Sequence, residues 1–166
     1  MIDKAIELDL PNVVDAKRKL FTSPRLYRRR RRHRHGSSSE SESALLLLPD
    51  LYPVDLNRLS DVEAILNDLV ASPNDTETWH TIFLFEGVMI YLDENVPNGL
   101  LNVCRNVLRK NHAEGSLVFA DRLEHIPGGD RDIAMTVLAE AGWRIVDWQP
   151  KPGLARHMGV AEPIEP

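Results

Sequence analysis

Three acidic residues follow stretches rich in strand-forming side chains. Asp9 ends Ala5-Ile6-Glu7-Leu8, Asp55 lies on the loop after Ala44-Leu45-Leu46-Leu47-Leu48, and Glu86 ends His80-Thr81-Ile82-Phe83-Leu84-Phe85. A carboxylate offers several lone pairs to two neighbouring hydroxyls, so an acid beyond the carboxyl end of a parallel strand suits a ribose diol. A second such acid suits an adenine amino group, with an adjacent backbone N–H reading the ring nitrogen. A third suits the ammonium of a methionine moiety. The set fits a cationic, ribose-bearing ligand. Acids in these places also suit capping of the helix that follows, and spacing alone leaves both readings open.

The elements that must position these acids follow from local pattern. A strand over residues 5–10 is expected to lead into a helix with Pro11 in its first turn and a stripe of Val13, Val14, Lys17 and Leu20. Ala44 to Leu48 reads as a buried strand. Ser60-Asp61-Val62-Glu63 is a capping-box pattern, and Val62, Ile65, Leu66, Leu69 and Val70 repeat at helical spacing up to Ser72. The strand ending at Glu86 precedes a helix over 93–109, with Val96, Leu100, Val103, Val107 and Leu108 inside. Residues 116–121 form a fourth strand. Asp130 is expected to cap a helix that Gly142 closes, and strands over 143–148 and 156–161 finish the chain. Alternation of strands and helices predicts an α/β fold: a mostly parallel sheet with helices on both faces. The terminal strand pair adds one antiparallel edge strand.

Composition narrows the function classes. A formal net charge of -5 argues against nucleic acid as a partner of the whole surface. The one cysteine, Cys104, rules out an intramolecular disulfide and fits a reducing, cytoplasmic setting. No apolar run approaches the roughly 20 residues of a membrane span, and the first residues lack a signal-peptide pattern. The histidines show no metal-ligand spacing, so no metal is expected; His80, His112, His125 and His157 read as surface or packing residues.

Residues 21–43 differ from the rest. Arg28 to Arg32, His33, Arg34 and His35 are followed by a Ser/Glu tract, which has too little apolar content to fold alone. The segment reads as a disordered insertion in a domain made of 1–20 and 44–166. Its Arg28–Arg34 run also matches a nuclear-localisation or RNA-binding patch.

Three segments carry a family resemblance. Glu7-Leu8-Asp9-Leu10-Pro11-Asn12-Val13-Val14-Asp15-Ala16-Lys17 resembles an E-x-D-x-P-x-V-x-x-x-K pattern. Asp55-Leu56 with Leu59 resembles D-L-x-x-L. Phe85-Glu86-Gly87-Val88-Met89-Ile90-Tyr91-Leu92, the most specific, resembles [AF]-E-G-[VL]-[LM]-x-Y-L. In this order they are similar to the leucine carboxyl methyltransferases, a family of class I methyltransferases that use S-adenosylmethionine (SAM). The resemblance implies a Rossmann-like methyltransferase fold and SAM as methyl donor. It implies that Asp9 holds the ribose, Asp55 and Leu56 the adenine, and Glu86 the methionine end. Tyr91 would then lie near the substrate pocket, or serve as a packed tyrosine.

The resemblance also implies what is expected to be missing. The family's first strand and its G-x-G-x-D-[ST]-R loop should precede Ile6, and that strand should lie between those ending at Asp9 and Glu86. Without it, these two strands are expected either to pair directly or to leave open edges. The implied reaction is SN2 attack by an oxygen nucleophile on a sulfonium methyl. The acceptor, a protein C-terminal carboxyl group or a small molecule, is not specified by the sequence. A carboxylate acceptor is already ionised at neutral pH, so no general base is required. An inactive, truncated chain serving as a binding module is the alternative.

Overall fold

The computed structural model describes residues 4–22, 49–71, 80–121, 131–150 and 157–164. The chain divides into two compact units, Met1–Leu56 and Asn57–Pro166.

The first unit contains β1 (Ile6–Asp9), α1 (Pro11–Phe21) and β2 (Asp50–Pro53). The strands pair in parallel, Ile6 opposite Asp50 and Asp9 opposite Pro53, so their carboxyl ends lie side by side. β1 is half-buried along its length. Pro11 starts α1, where a missing N–H costs nothing and its fixed φ suits the helix. The Leu10 carbonyl accepts the Val13 and Val14 amides at 2.9 Å each. Arg18 and Lys19 occupy the last turn, where positive charge complements the helix dipole. Val14 is fully buried, and the Arg18 guanidinium donates to the Leu51 carbonyl at 3.0 Å, tying α1 to β2.

One boundary moves relative to the sequence expectation. Phe21 belongs to α1 and Thr22 caps it, its hydroxyl donating to the Arg18 carbonyl at 2.9 Å, so helical structure extends into the stretch read as an insertion. The remainder of that stretch, with Arg28–Arg34, lies outside the described residues. So does the strand expected over Ala44–Leu48; the described partner of β1 is Asp50–Pro53.

The second unit contains α2 (Leu59–Val70), β3 (His80–Glu86), a 3-10 turn (Met89–Tyr91), α3 (Val96–Lys110), β4 (Glu114–Asp121), α4 (Arg131–Glu140), β5 (Trp143–Pro150) and β6 (His157–Pro163). Its sheet has the order β3-β4-β6-β5, with β3 and β4 parallel and β6 antiparallel to both neighbours. β3 and β5 are therefore the edges, and the antiparallel strand is interior. Small residues make that position available. A Cβ on Gly159 would lie 2.7 Å from the Asp147 carbonyl oxygen and 2.8 Å from the Phe119 ring, and Ala161 beside it is fully buried.

The core of this unit lies under α3, whose Pro97, Leu100, Leu101, Val103, Cys104, Val107 and Leu108 are all buried. Trp143 is fully buried, and its indole N–H donates to the Leu101 carbonyl at 3.0 Å. Gly142, at φ +81°, turns the chain from α4 into β5; that left-handed backbone favours glycine. The expected cap at Asp130 lies outside the described residues. Cys104 is buried, and the loss of solvation pushes its thiol up to about 12.

The capping box at Ser60 does not form. The helix starts two residues earlier: the Arg58 carbonyl accepts the Asp61 and Val62 amides at 3.0 and 3.1 Å. Ser60 is already inside the first turn, its hydroxyl 3.4 Å from the Asp61 carboxylate. Among the described residues β1 and β3 belong to separate sheets. No helix among the described residues is long and apolar enough to cross a membrane.

Candidate ligand-binding residues

Asp9 stands at the carboxyl end of β1, and both of its oxygens are engaged. One accepts the Leu10 amide at 2.8 Å. The other accepts the Lys17 ammonium at 2.6 Å. The same ammonium donates to Glu7, two residues back on the same side of the strand. The Asp9 hydrogen bond, then that of Glu7, holds the Lys17 ammonium above the usual lysine value against a smaller opposing effect of burial. Lys17 is therefore cationic throughout the neutral range. All three side chains keep about a third of their surface or less, at 29% for Lys17 and Asp9 and 35% for Glu7. The carboxylate is fixed in place yet still reachable by a ligand.

Asp55 and Leu56 follow β2 and are half-buried. The Val54 amide donates to the Asp9 carbonyl at 2.8 Å, and Val54 is buried. This bond and the parallel register bring the Asp55-Leu56 segment to the same end of the unit as Asp9. An open cleft in this unit, lined by Arg18, Phe21, Thr22 and residues 49–52, lies at the opposite end of the strands. It takes no part in the arrangement of acids.

Glu86 belongs to the second unit. It is exposed at the carboxyl end of β3, level with Ala120 of β4. Gly87 follows at φ +65° and donates its amide to the Ala120 carbonyl at 3.3 Å. The chain then enters the 3-10 turn, anchored by fully buried Met89. Tyr91 in that turn is 78% exposed, so the packed alternative for this tyrosine does not apply. His80 is exposed at the other end of β3, with Nε2 3.1 Å from the Ser116 hydroxyl. Among the described residues no cluster of three or more potential ligands suits a metal ion.

Sequence reasoning gave no role to Lys17. A signal was present: two acids at alternate positions of a strand face one way, and a cation on the helix that follows is placed to meet both.

No protein-family model matches the chain. No curated protein matches it either. Solved structures do. One described as a pericyclic reaction enzyme superposes with a TM-score of 0.54 at 12% identity, over 98% of this chain and 37% of its own. LepI in complex with SAM, and a LepI variant with SAH and a substrate analogue, each give 0.53 at 12% identity, with the same coverage. This chain thus spans little more than a third of the length of these neighbours. At such identity the likeness establishes the fold alone, a Rossmann-like α/β fold shared with these neighbours.

Proposed function

We propose that this chain carries the adenosine side of a SAM site, in an O-methyltransferase resembling the leucine carboxyl methyltransferases. The observation that carries this reading is the fixed Asp9 carboxylate at the carboxyl end of β1, with Asp55-Leu56 brought to the same end. The neighbours solved with SAM and SAH support the choice of ligand.

In this reading Asp9 accepts hydrogen bonds from the ribose hydroxyls. The Lys17 and Leu10 donors each occupy part of its acceptor capacity and leave lone pairs for the diol. Asp55 accepts from the adenine amino group, and Leu56 offers backbone and an apolar surface to the ring. Glu86 holds the ammonium of the methionine end, and Tyr91 contributes to the acceptor side. SAM supplies an electrophilic methyl group on sulfonium. The acceptor, a protein C-terminal carboxyl group or a small molecule, attacks as an oxygen nucleophile. An ionised carboxylate needs no base, so the contribution of the protein is alignment and exclusion of water.

A second reading is a SAM-binding module without turnover. Calorimetric titration with SAM tests what both readings share, and binding in the micromolar range is expected. Absence of binding at millimolar SAM rejects both. Binding without methyl transfer to any carboxylate acceptor leaves the module reading.

A further inference from the structure

Glu7 has no part in the SAM contacts described above, yet it is the second anion on the Lys17 ammonium. It shares a side of β1 with Asp9, and α1 returns one cation to both carboxylates. Two carboxylates facing one ammonium leave the cluster with a net negative charge. Arg18, the next residue of α1, does not offset it. Its guanidinium donates to the Leu51 carbonyl at 3.0 Å and faces the Asp15 carboxylate at 3.8 Å.

That charge bears on which sugar edge Asp9 can accept. A ribose diol presents two hydroxyl donors to a carboxylate. A phosphate on either hydroxyl replaces a donor with acceptor oxygens and brings about 1.5–2 negative charges near pH 7. Sites that take a phosphorylated ribose place a free cation at this position in the fold. Lys17, with three donors on a long stem, has the reach and the charge for that task. Glu7 takes one of those donors and Asp9 another, and the Glu7 charge offsets what the ammonium would offer a phosphate.

We propose that Glu7 is a specificity-determining positioning residue: it commits Lys17 to Asp9 and keeps the ribose subsite anionic. The site then takes an adenosine ligand with a free 2′,3′-diol and rejects one phosphorylated on that diol. This inference rests on Asp9 being the ribose acceptor. Calorimetric displacement of SAM from the full chain by adenosine, adenosine 2′-monophosphate and adenosine 3′-monophosphate tests it. At low salt, adenosine should displace SAM at least about tenfold better than either phosphate. The ratio should shrink as salt rises, because the cluster is partly exposed and its charges are screened over about 10 Å at 0.1 M. Glu7→Gln keeps the shape and an acceptor for Lys17 but removes the charge, and it should narrow the ratio about tenfold by improving the phosphates. Lys17→Met should widen it.

A merely structural role for Glu7 would weaken all three ligands alike and leave the ratio unmoved in Glu7→Gln, which overturns the proposal. A ratio indifferent to salt also overturns it, since shape rather than charge would then exclude the phosphate. If Glu7→Gln loses native circular dichroism, the salt response of the parent chain and the direction of change in Lys17→Met decide. SAM bound by the parent chain but displaced equally by all three ligands rejects this inference alone. No SAM binding at millimolar concentration rejects the ribose role of Asp9 and the inference with it.

Discussion

Replacing Trp143 with alanine is expected to lower the stability of the Asn57–Pro166 unit by about 3–5 kcal/mol, the usual loss for a fully buried large aromatic. Trp143 has no exposed surface, and its indole N–H satisfies the Leu101 carbonyl from inside the core. The substitution removes apolar area, leaves a cavity under α3 and withdraws a donor from a buried acceptor. Because native domains are stable by only about 5–15 kcal/mol, a loss of this size is a large fraction of the total. Urea unfolding followed by circular dichroism should show an earlier midpoint. Trp143→Phe keeps most of the packing and loses only the donor, so it should cost about 1 kcal/mol. Equal losses for the two variants would show that the hydrogen bond, not the packed volume, dominates at this position.

Asp9→Ala is expected to weaken SAM binding by about 10–100-fold, the equivalent of removing one hydrogen-bonded charge worth roughly 1.5–3 kcal/mol. Lys17→Met should weaken binding less, because the carboxylate remains but is no longer held, and Lys17→Arg should recover part of the loss. Asp15→Ala, on the exposed side of α1, is the control and should bind like the parent chain. Calorimetry on the four variants, each checked for native circular dichroism, gives the comparison. Parental affinity in Asp9→Ala would remove Asp9 from the ribose site. Equal losses in Asp9→Ala and Asp15→Ala would point to a general weakening of the first unit.

Much of the fold was legible because its elements obey simple periods. β1, β3, α1 and α3 begin and end within a few residues of where strand alternation, Pro11 and the apolar stripe of α3 place them. The misplacements have specific causes. The strand expected at 44–48 lies outside the described residues, and the described partner of β1, Asp50–Pro53, is a stretch to which local pattern assigned no strand. Ser60 matched a cap by residue type, but backbone bonds from Arg58 had already begun the helix. The terminal strand pair reads as one antiparallel edge strand, whereas the antiparallel strand, β6, is interior. Its uncharged Met158-Gly159-Val160-Ala161 run, with glycine and alanine pressed against Phe119 and its neighbours, signals an interior strand.

The candidate site was legible in part. The positions of Asp9, Asp55 and Glu86 at strand ends followed from pattern, and the structure keeps them there. What pattern alone left out was the partner that fixes Asp9. Lys17 is eight residues away, and only the fold of α1 back along β1 brings its ammonium to the carboxylate. Residue type gives the charges, and tertiary structure decides which of them meet.

The burial of Cys104 turns the chain into its own gauge of opening. A thiol held near 12 and sealed under α3 has almost no thiolate at neutral pH and no path to reagent. Alkylation should therefore proceed only through molecules whose second unit has opened, at a rate set by how often that happens. Since the chain has one cysteine, the signal has a single source. Trp143→Ala should quicken labelling, and bound ligand should slow it if binding stabilises this unit.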